Sequence, residues 1–145
     1  MPKRLVVDAS VVAKWFFAEV DFKIARDLVI DYSLLAPDLL FLEVYNVFWQ
    51  RVRKGLLDQA EATVMTTALS KAGLHITSAF QLRRSAFDLA CLYEQTMYDS
   101  TYLALALYEK VPFVTADQKL CRALATTSLA KSIIYLPDFS EQIAD

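Results

Sequence analysis

Four carboxylates stand where short apolar runs meet helix-like segments. Asp8 closes "RLVVD", Asp117 closes "PFVTAD", Asp99 leads "MYDSTYLALALYEK", and Glu43 lies early in "DLLFLEVYNVFWQRVRKG". A single aspartate at a helix start is ordinarily a cap that accepts free backbone N–H groups. Several at equivalent places raise a different problem, because acids gathered on one edge repel one another by about 1 to 4 kcal/mol per pair. Protonation, a nearby Lys or Arg, or a hard divalent cation must offset that repulsion. His75 is the only histidine, and Cys91 and Cys121 have no C-x-x-C spacing, so an oxygen-only donor set points to Mg²⁺ or Mn²⁺. Such an ion keeps waters and takes further oxygens from a substrate phosphate, which makes phosphodiester chemistry the natural use of the cluster.

The elements that must position these acids follow from local pattern. "RLVV" is a β-branched apolar run that stops at Asp8, and a helix is expected over "SVVAKWFFAE". Further helices are expected from about residue 21 to 32, from Asp38 to a stop at Gly55, over "LDQAEATVMTTALSKAG" to Gly73, after a Ser78 cap, and from Asp99 onward. "SLLAP", "LHIT", "PFVT" and "SIIYLP" read as short extended pieces, with His75 a strand residue. Alternation of this kind implies an α/β fold: a mostly parallel central sheet with helices on both faces. In such sheets ligands bind beyond the carboxyl ends of the strands, where strand order reverses. Asp8 and Asp117 fall at such ends, and Asp99, with Leu103, Ala106 and Leu107 on one helical face, is expected to reach the same edge. At about 100° per residue, Glu43, Asn46, Gln50, Arg53 and Lys54 share a narrow polar arc on an otherwise apolar helix, the makings of a groove wall.

Composition narrows the alternatives. The chain has 145 residues, enough for one domain spanning 1–145 with its own core. Hydrophobic residues make up 56%, yet no run is long enough to cross a membrane and no secretory leader is evident, so a soluble cytoplasmic protein is expected. With a net charge of −2, a general basic coat for nucleic acid is excluded, though a local basic groove is not. Only Gly55 and Gly73 occur, which rules out a dinucleotide-binding G-x-G-x-x-G turn and a P-loop. The cysteines are expected to be free buried thiols.

Four segments in this order, "VVDASVVAKWF", "LLFLEVYNVFWQRVRKGLL", "MYDSTYLALAL" and "PFVTADQKL", resemble the PIN-domain ribonucleases, specifically the small VapC-type toxins of toxin–antitoxin pairs. The resemblance implies a single PIN-like domain, an acidic metal site formed by Asp8, Glu43, Asp99 and Asp117, and support from Ser10, Asn46 and Thr115. It also implies metal-assisted hydrolysis of RNA giving 5′-phosphate and 3′-hydroxyl ends and an antitoxin partner; a homodimer is expected from the aromatic surface of the flanking helices. Family members often carry glycine before the last-named strand and between the helices ahead of Asp99, where this chain reads "YEKVP" and "YEQTM". A further acid sometimes found just after the last aspartate is absent here.

Lys14, Arg51, Arg53, Lys54, Lys119 and Arg122 are candidate RNA-backbone contacts. Trp15, Phe16, Phe17, Tyr45, Phe48 and Trp49 have spacing that suits core or interface more than base stacking. Two other readings compete: a non-catalytic PIN scaffold that binds RNA or protein, and a phospho-acceptor signalling domain. The second wants paired acids after the first strand and an acid ending a mid-chain strand, whereas Asp8 is single and "LHIT" ends without one.

Overall fold

The computed structural model describes residues 3–140; the expected 1–145 span therefore includes residues 1, 2 and 141–145, which lie outside the described residues. Five strands, β1 (Lys3–Val7), β2 (Tyr32–Pro37), β3 (His75–Thr77), β4 (Phe113–Thr115) and β5 (Ile133–Tyr135), form one sheet in the order β3-β2-β1-β4-β5. Every pairing is parallel, so the expected mostly parallel sheet is parallel throughout the described residues. Register brings Val7 of β1 beside Val114 of β4 and Leu35 of β2 beside Val6 of β1. Leu5, Val6 and Val7 are fully buried, as a central strand covered on both faces requires.

Among the described residues seven α-helices connect the strands: α1 (Ala9–Val12), α2 (Phe22–Asp31), α3 (Leu39–Arg53), α4 (Gln59–Ser70), α5 (Ala79–Tyr93), α6 (Met97–Glu109) and α7 (Gln118–Leu124). Right-handed crossovers put α1 to α4 on one face, since β1, β2 and β3 step outward in one direction. The return from β3 to β4 and the step to β5 run the other way and put α5 to α7 on the opposite face. Strand order therefore reverses between β1 and β4, so the carboxyl ends of these two neighbours flank the switch point.

Several local expectations are corrected. The first helix is much shorter than "SVVAKWFFAE": it gives way at Ala13 to a 3₁₀ turn ending at Trp15. Tertiary packing overrides the local pattern there, because the Trp15 indole donates to the Ala25 carbonyl at 2.9 Å and Phe16 and Phe17 meet Phe48 edge-on. The helix carrying Asp99 begins at Met97, with Thr96 rather than Asp99 as its cap. It is buried on all sides from Ser100 to Ala106, while Leu107, expected on its inner face, is exposed. Ser78 makes no side-chain cap; the Asp38 carboxylate instead accepts the Ala79 N–H at 2.8 Å, so an acid ahead of α3 caps α5. Cys91 and Cys121 are free, but Cys91 is exposed and not buried.

Gly55 and Gly73 take positive φ just after α3 and α4, the helix-stop role their positions suggested. Glu94 and Lys110 adopt the same left-handed conformation after α5 and α6. These lie in the two segments where glycine was noted as missing, so the turn shape is kept without the residue that tolerates it best.

Candidate active site

Asp8 is the last residue before α1, and its extended backbone turns its carboxylate onto the helix start. Oδ1 accepts the N–H groups of Ser10 (3.1 Å) and Val11 (3.3 Å) and the Ser10 hydroxyl at 2.5 Å. Oδ2 accepts the Thr115 hydroxyl at 2.5 Å. The same two hydroxyls accept from the neighbouring turn: Ser10 Oγ takes the Ala116 N–H at 2.9 Å, and Thr115 Oγ1 takes the Asp117 N–H at 3.1 Å. Two side-chain oxygens thus tie the end of β1 to the end of β4. Both hydroxyls lie against the Asp8 carboxylate.

Asp117 caps α7, its Oδ1 accepting the Leu120 N–H at 3.1 Å. Asp99 occupies the first turn of α6 and is fixed through its backbone N–H, which donates to Thr96 Oγ1 at 3.1 Å. Glu43, in the second turn of α3, accepts the Tyr102 hydroxyl on Oε1 at 2.6 Å. Tyr102 is itself fully buried and stacks parallel to Phe113, with ring centroids 5.8 Å apart.

Electrostatics join the four acids. Burial pushes the Asp8 carboxyl up to about 6, against the pull of its Ser10, Thr115 and Val11 hydrogen bonds, and the charge of Asp99 adds to the rise. Glu43 is raised by burial and by Asp99, with the Tyr102 bond opposing. Asp99 is raised by burial and then by Asp117, with a Thr96 bond opposing. Asp99 is common to all three couplings, acting on Asp8 and Glu43 and acted on by Asp117. The described ion pairs, Arg4–Glu109 and Arg51–Glu19, leave all four without a cationic partner.

The donor chemistry fits a hard divalent cation: carboxylate oxygens and hydroxyls, mutually repulsive, with no basic side chain paired to them. Among the described residues, however, no group of three or more acidic, histidine or cysteine side chains forms a ready metal cage. The fit is to an open site, in which carboxylates supply part of the Mg²⁺ shell and water and substrate complete it.

Beside this edge lies a cleft of about 630 Å³ lined by Ser10, Glu43 and Asn46 together with Leu39, Leu42, Val47 and Tyr98. Asn46 is one turn beyond Glu43 on the same wall, as the polar arc of α3 suggested. The candidate cations are more dispersed. Lys14 donates to the Val20 carbonyl at 2.8 Å, and Arg51 pairs with Glu19 and lies 3.7 Å from the Phe17 ring centre. Arg53 lies over Trp49, Lys54 ends α3, and Lys119 and Arg122 are exposed on α7 beyond Asp117. Of the aromatic set, Trp15, Phe16, Phe17 and Phe48 pack inward, while Tyr45 and Trp49 are exposed.

Sequence reasoning missed Thr96, Tyr98 and Tyr102. Thr96 was findable, since T-x-x-D is capping-box spacing. Tyr102 lies one turn after Asp99 but gives no local sign that Glu43 waits across the fold.

The chain was compared with known proteins. Residues 5–124 match the PIN domain family model. Ribonuclease VapC3 of Pyrobaculum aerophilum is 35% identical over 122 residues, covering 81% of this chain and 92% of the relative. Among solved structures, PAE2754 from Pyrobaculum aerophilum superposes with a TM-score of 0.64 at 21% identity, covering 94% of this chain and 93% of that one. VapC20 of Mycobacterium tuberculosis, described as a sarcin-ricin loop cleaving toxin, gives 0.60 at 14% identity over 77% and 87%. A toxin–antitoxin complex from Klebsiella pneumoniae gives 0.59 at 12% identity over 93% and 99%. An all-parallel sheet with acids at its switch point, a PIN match over most of its length and a ribonuclease relative above 30% identity agree: this chain belongs to the PIN-domain family, among its VapC-type ribonucleases.

Proposed function

We propose that the edge between β1 and β4 is where this chain hydrolyses RNA phosphodiester bonds, as the toxin of a toxin–antitoxin pair. The proposal rests on one observation above others: the buried Asp8 carboxylate is held by hydroxyls from both switch-point turns. That arrangement goes beyond capping α1, because capping needs only the Ser10 and Val11 N–H groups and not a hydroxyl from the far side of the switch point.

Asp8, Asp99 and Asp117 would hold Mg²⁺ or Mn²⁺, with Glu43 as a further ligand or as the group orienting the attacking water. When bound, the ion supplies Lewis-acid polarisation of the phosphate and a lowered pKa for water. The chain's own residues do the positioning. Ser10 and Thr115 aim the Asp8 oxygens, Thr96 fixes the turn that carries Asp99, and Tyr102 occupies one oxygen of Glu43 so that the other is left to face the reaction. Attack in line on phosphorus expels the ribose 3′-oxygen, leaving 5′-phosphate and 3′-hydroxyl ends. Lys54, Lys119 and Arg122 contact RNA phosphates along the approaches.

The protein works in the cytoplasm as a single PIN-like unit, paired with an antitoxin and with a second copy of itself. Compatible with this, no helix among the described residues is long and apolar enough to cross a membrane, and Tyr45 and Trp49 offer exposed apolar area on α3. Incubation of the purified chain with labelled RNA in Mg²⁺, and then in EDTA, tests the reading. Cleavage that needs the cation, and that Asp99→Asn removes without loss of fold, supports it. Intact RNA in Mg²⁺ and in Mn²⁺ would leave the non-catalytic scaffold in its place.

A further inference from the structure

We propose that the cleft beside the acids is a nucleobase subsite, which takes one unpaired base next to the bond being cut and stacks it on Tyr98. The inference rests on the ribonuclease reading and names the side chain that holds the base flanking the cut.

The cleft shares Glu43 and Ser10 with the acid edge, so a group bound in it lies next to the place proposed for the reacting phosphate. Its chemistry is wrong for a second phosphate. No Lys or Arg lines it, and its one charged side chain is the carboxylate of Glu43. The remaining walls are aliphatic, with Leu42 72% exposed, and the Tyr98 ring is 61% exposed. Asn46 adds a carboxamide able to donate and accept at once. An aromatic face, aliphatic walls and one amide are what a flat heteroaromatic base with edge donors and acceptors requires, and unpaired bases are commonly read in this way. A volume of about 630 Å³ is within the range of small-ligand sites.

Tyr98 is well placed for the task. It is the second residue of α6, directly before Asp99, and the Thr96 cap fixes the turn that carries both. Among the described residues its ring meets no aromatic partner. By contrast, Phe16, Phe17 and Phe48 are occupied with one another, and Trp49 with Arg53. A base already stacked in a duplex would have to leave its helix to reach this ring.

The test uses a short single-stranded RNA whose cut site has been mapped, and the same RNA with an abasic nucleotide on either side of the cut. The wild-type chain should lose about tenfold or more in kcat/KM on one abasic RNA. Tyr98→Ala should lose a similar factor on the intact RNA and nothing further on that abasic RNA, whereas Tyr98→Phe should match the wild type on both. Fluorescence anisotropy of the same RNAs with Asp8→Asn, alone and combined with Tyr98→Ala, reads binding without cleavage. Loss of the preference for intact RNA in the double variant supports the subsite; if no RNA is cut, scanning one abasic nucleotide along a bound RNA makes the same comparison, and the ribonuclease reading falls separately. Equal losses for Tyr98→Ala on intact and abasic RNA, or none on either, would overturn the subsite. So would a Tyr98→Ala defect confined to binding a protein partner.

Discussion

The Tyr102 hydroxyl donates to Glu43 Oε1 across 2.6 Å, joining α6 to α3 between residues 59 positions apart. The phenol is buried beneath its acceptor, and burial together with the Glu43 charge raises its pKa far above the ordinary value, so it stays a donor at every working pH. Tyr102→Phe keeps the ring and its stack on Phe113 but removes the bond. Glu43 is half-buried and water can partly replace the donor, so stability should fall by only about 1 kcal/mol. The turnover rate should fall about tenfold or more at saturating Mg²⁺ with KM little changed, because the lost element is orientation. Thermal melts beside steady-state cleavage measure both, and an unchanged kcat would remove Tyr102 from the machinery.

Asp8 sets the pH dependence of the metal-free protein. Its folded-state pKa is raised from 3.8 to about 6, so between those values the native chain binds more protons than the unfolded one. Stability therefore falls as pH rises through that window, by about 3 kcal/mol in all from this group. Denaturant titrations from pH 4 to 7.5 in EDTA should show the decline, and millimolar Mg²⁺ should reverse it at the upper end. Asp8→Asn should make the profile shallower without flattening it, because Glu43 and Asp99 are also raised, and it should melt higher than the parent at pH 7.5 without metal and cleave nothing. A flat profile in the parent chain would mean that Asp8 is not held against its preference.

Asp38 provides the contrasting acid. Its carboxylate caps α5 at Ala79 and takes no part in the acid cluster, so Asp38→Ala should cost about 1 kcal/mol, as loss of a cap does. Cleavage per folded molecule should be unchanged. A large fall in kcat with little change in melting temperature would show that the edge near α5 matters to catalysis.

Glu94 and Lys110 hold φ of 55° and 57°, where an L side chain is strained by about 1 to 2 kcal/mol. Replacement by glycine relieves that strain but enlarges the freedom of the unfolded chain. Glu94→Gly and Lys110→Gly should each raise stability by about 0.5 to 1 kcal/mol. Chemical denaturation of the single and double variants checks this, and additivity is expected because the two turns follow different helices.

Much of the candidate site was legible because its acids occupy positions with local meaning. Asp8 and Asp117 follow β-branched runs, and Glu43 lies on a polar arc that periodicity exposes. Asp99 was legible as an acid of interest but not in its placement, since Thr96, directly before the helix, is the cap. The first helix was overestimated because the aromatic run from Trp15 to Phe17 reads as helix locally, yet its side chains find Ala25 and Phe48 only in three dimensions.

The sequence alone determined the alternation of strands and helices, the excluded cofactor classes and the family, all of which depend on residue types at short range or on motifs in order. Only the tertiary structure decided the strand order, which puts the ends of β1 and β4 side by side at the switch point. It alone joined Tyr102 to Glu43 and locked Asp8 to Thr115 across 107 positions. Hydrogen bonds and charge interactions act over a few ångströms of space whatever the distance along the chain, so no local pattern encodes which side chains will share them.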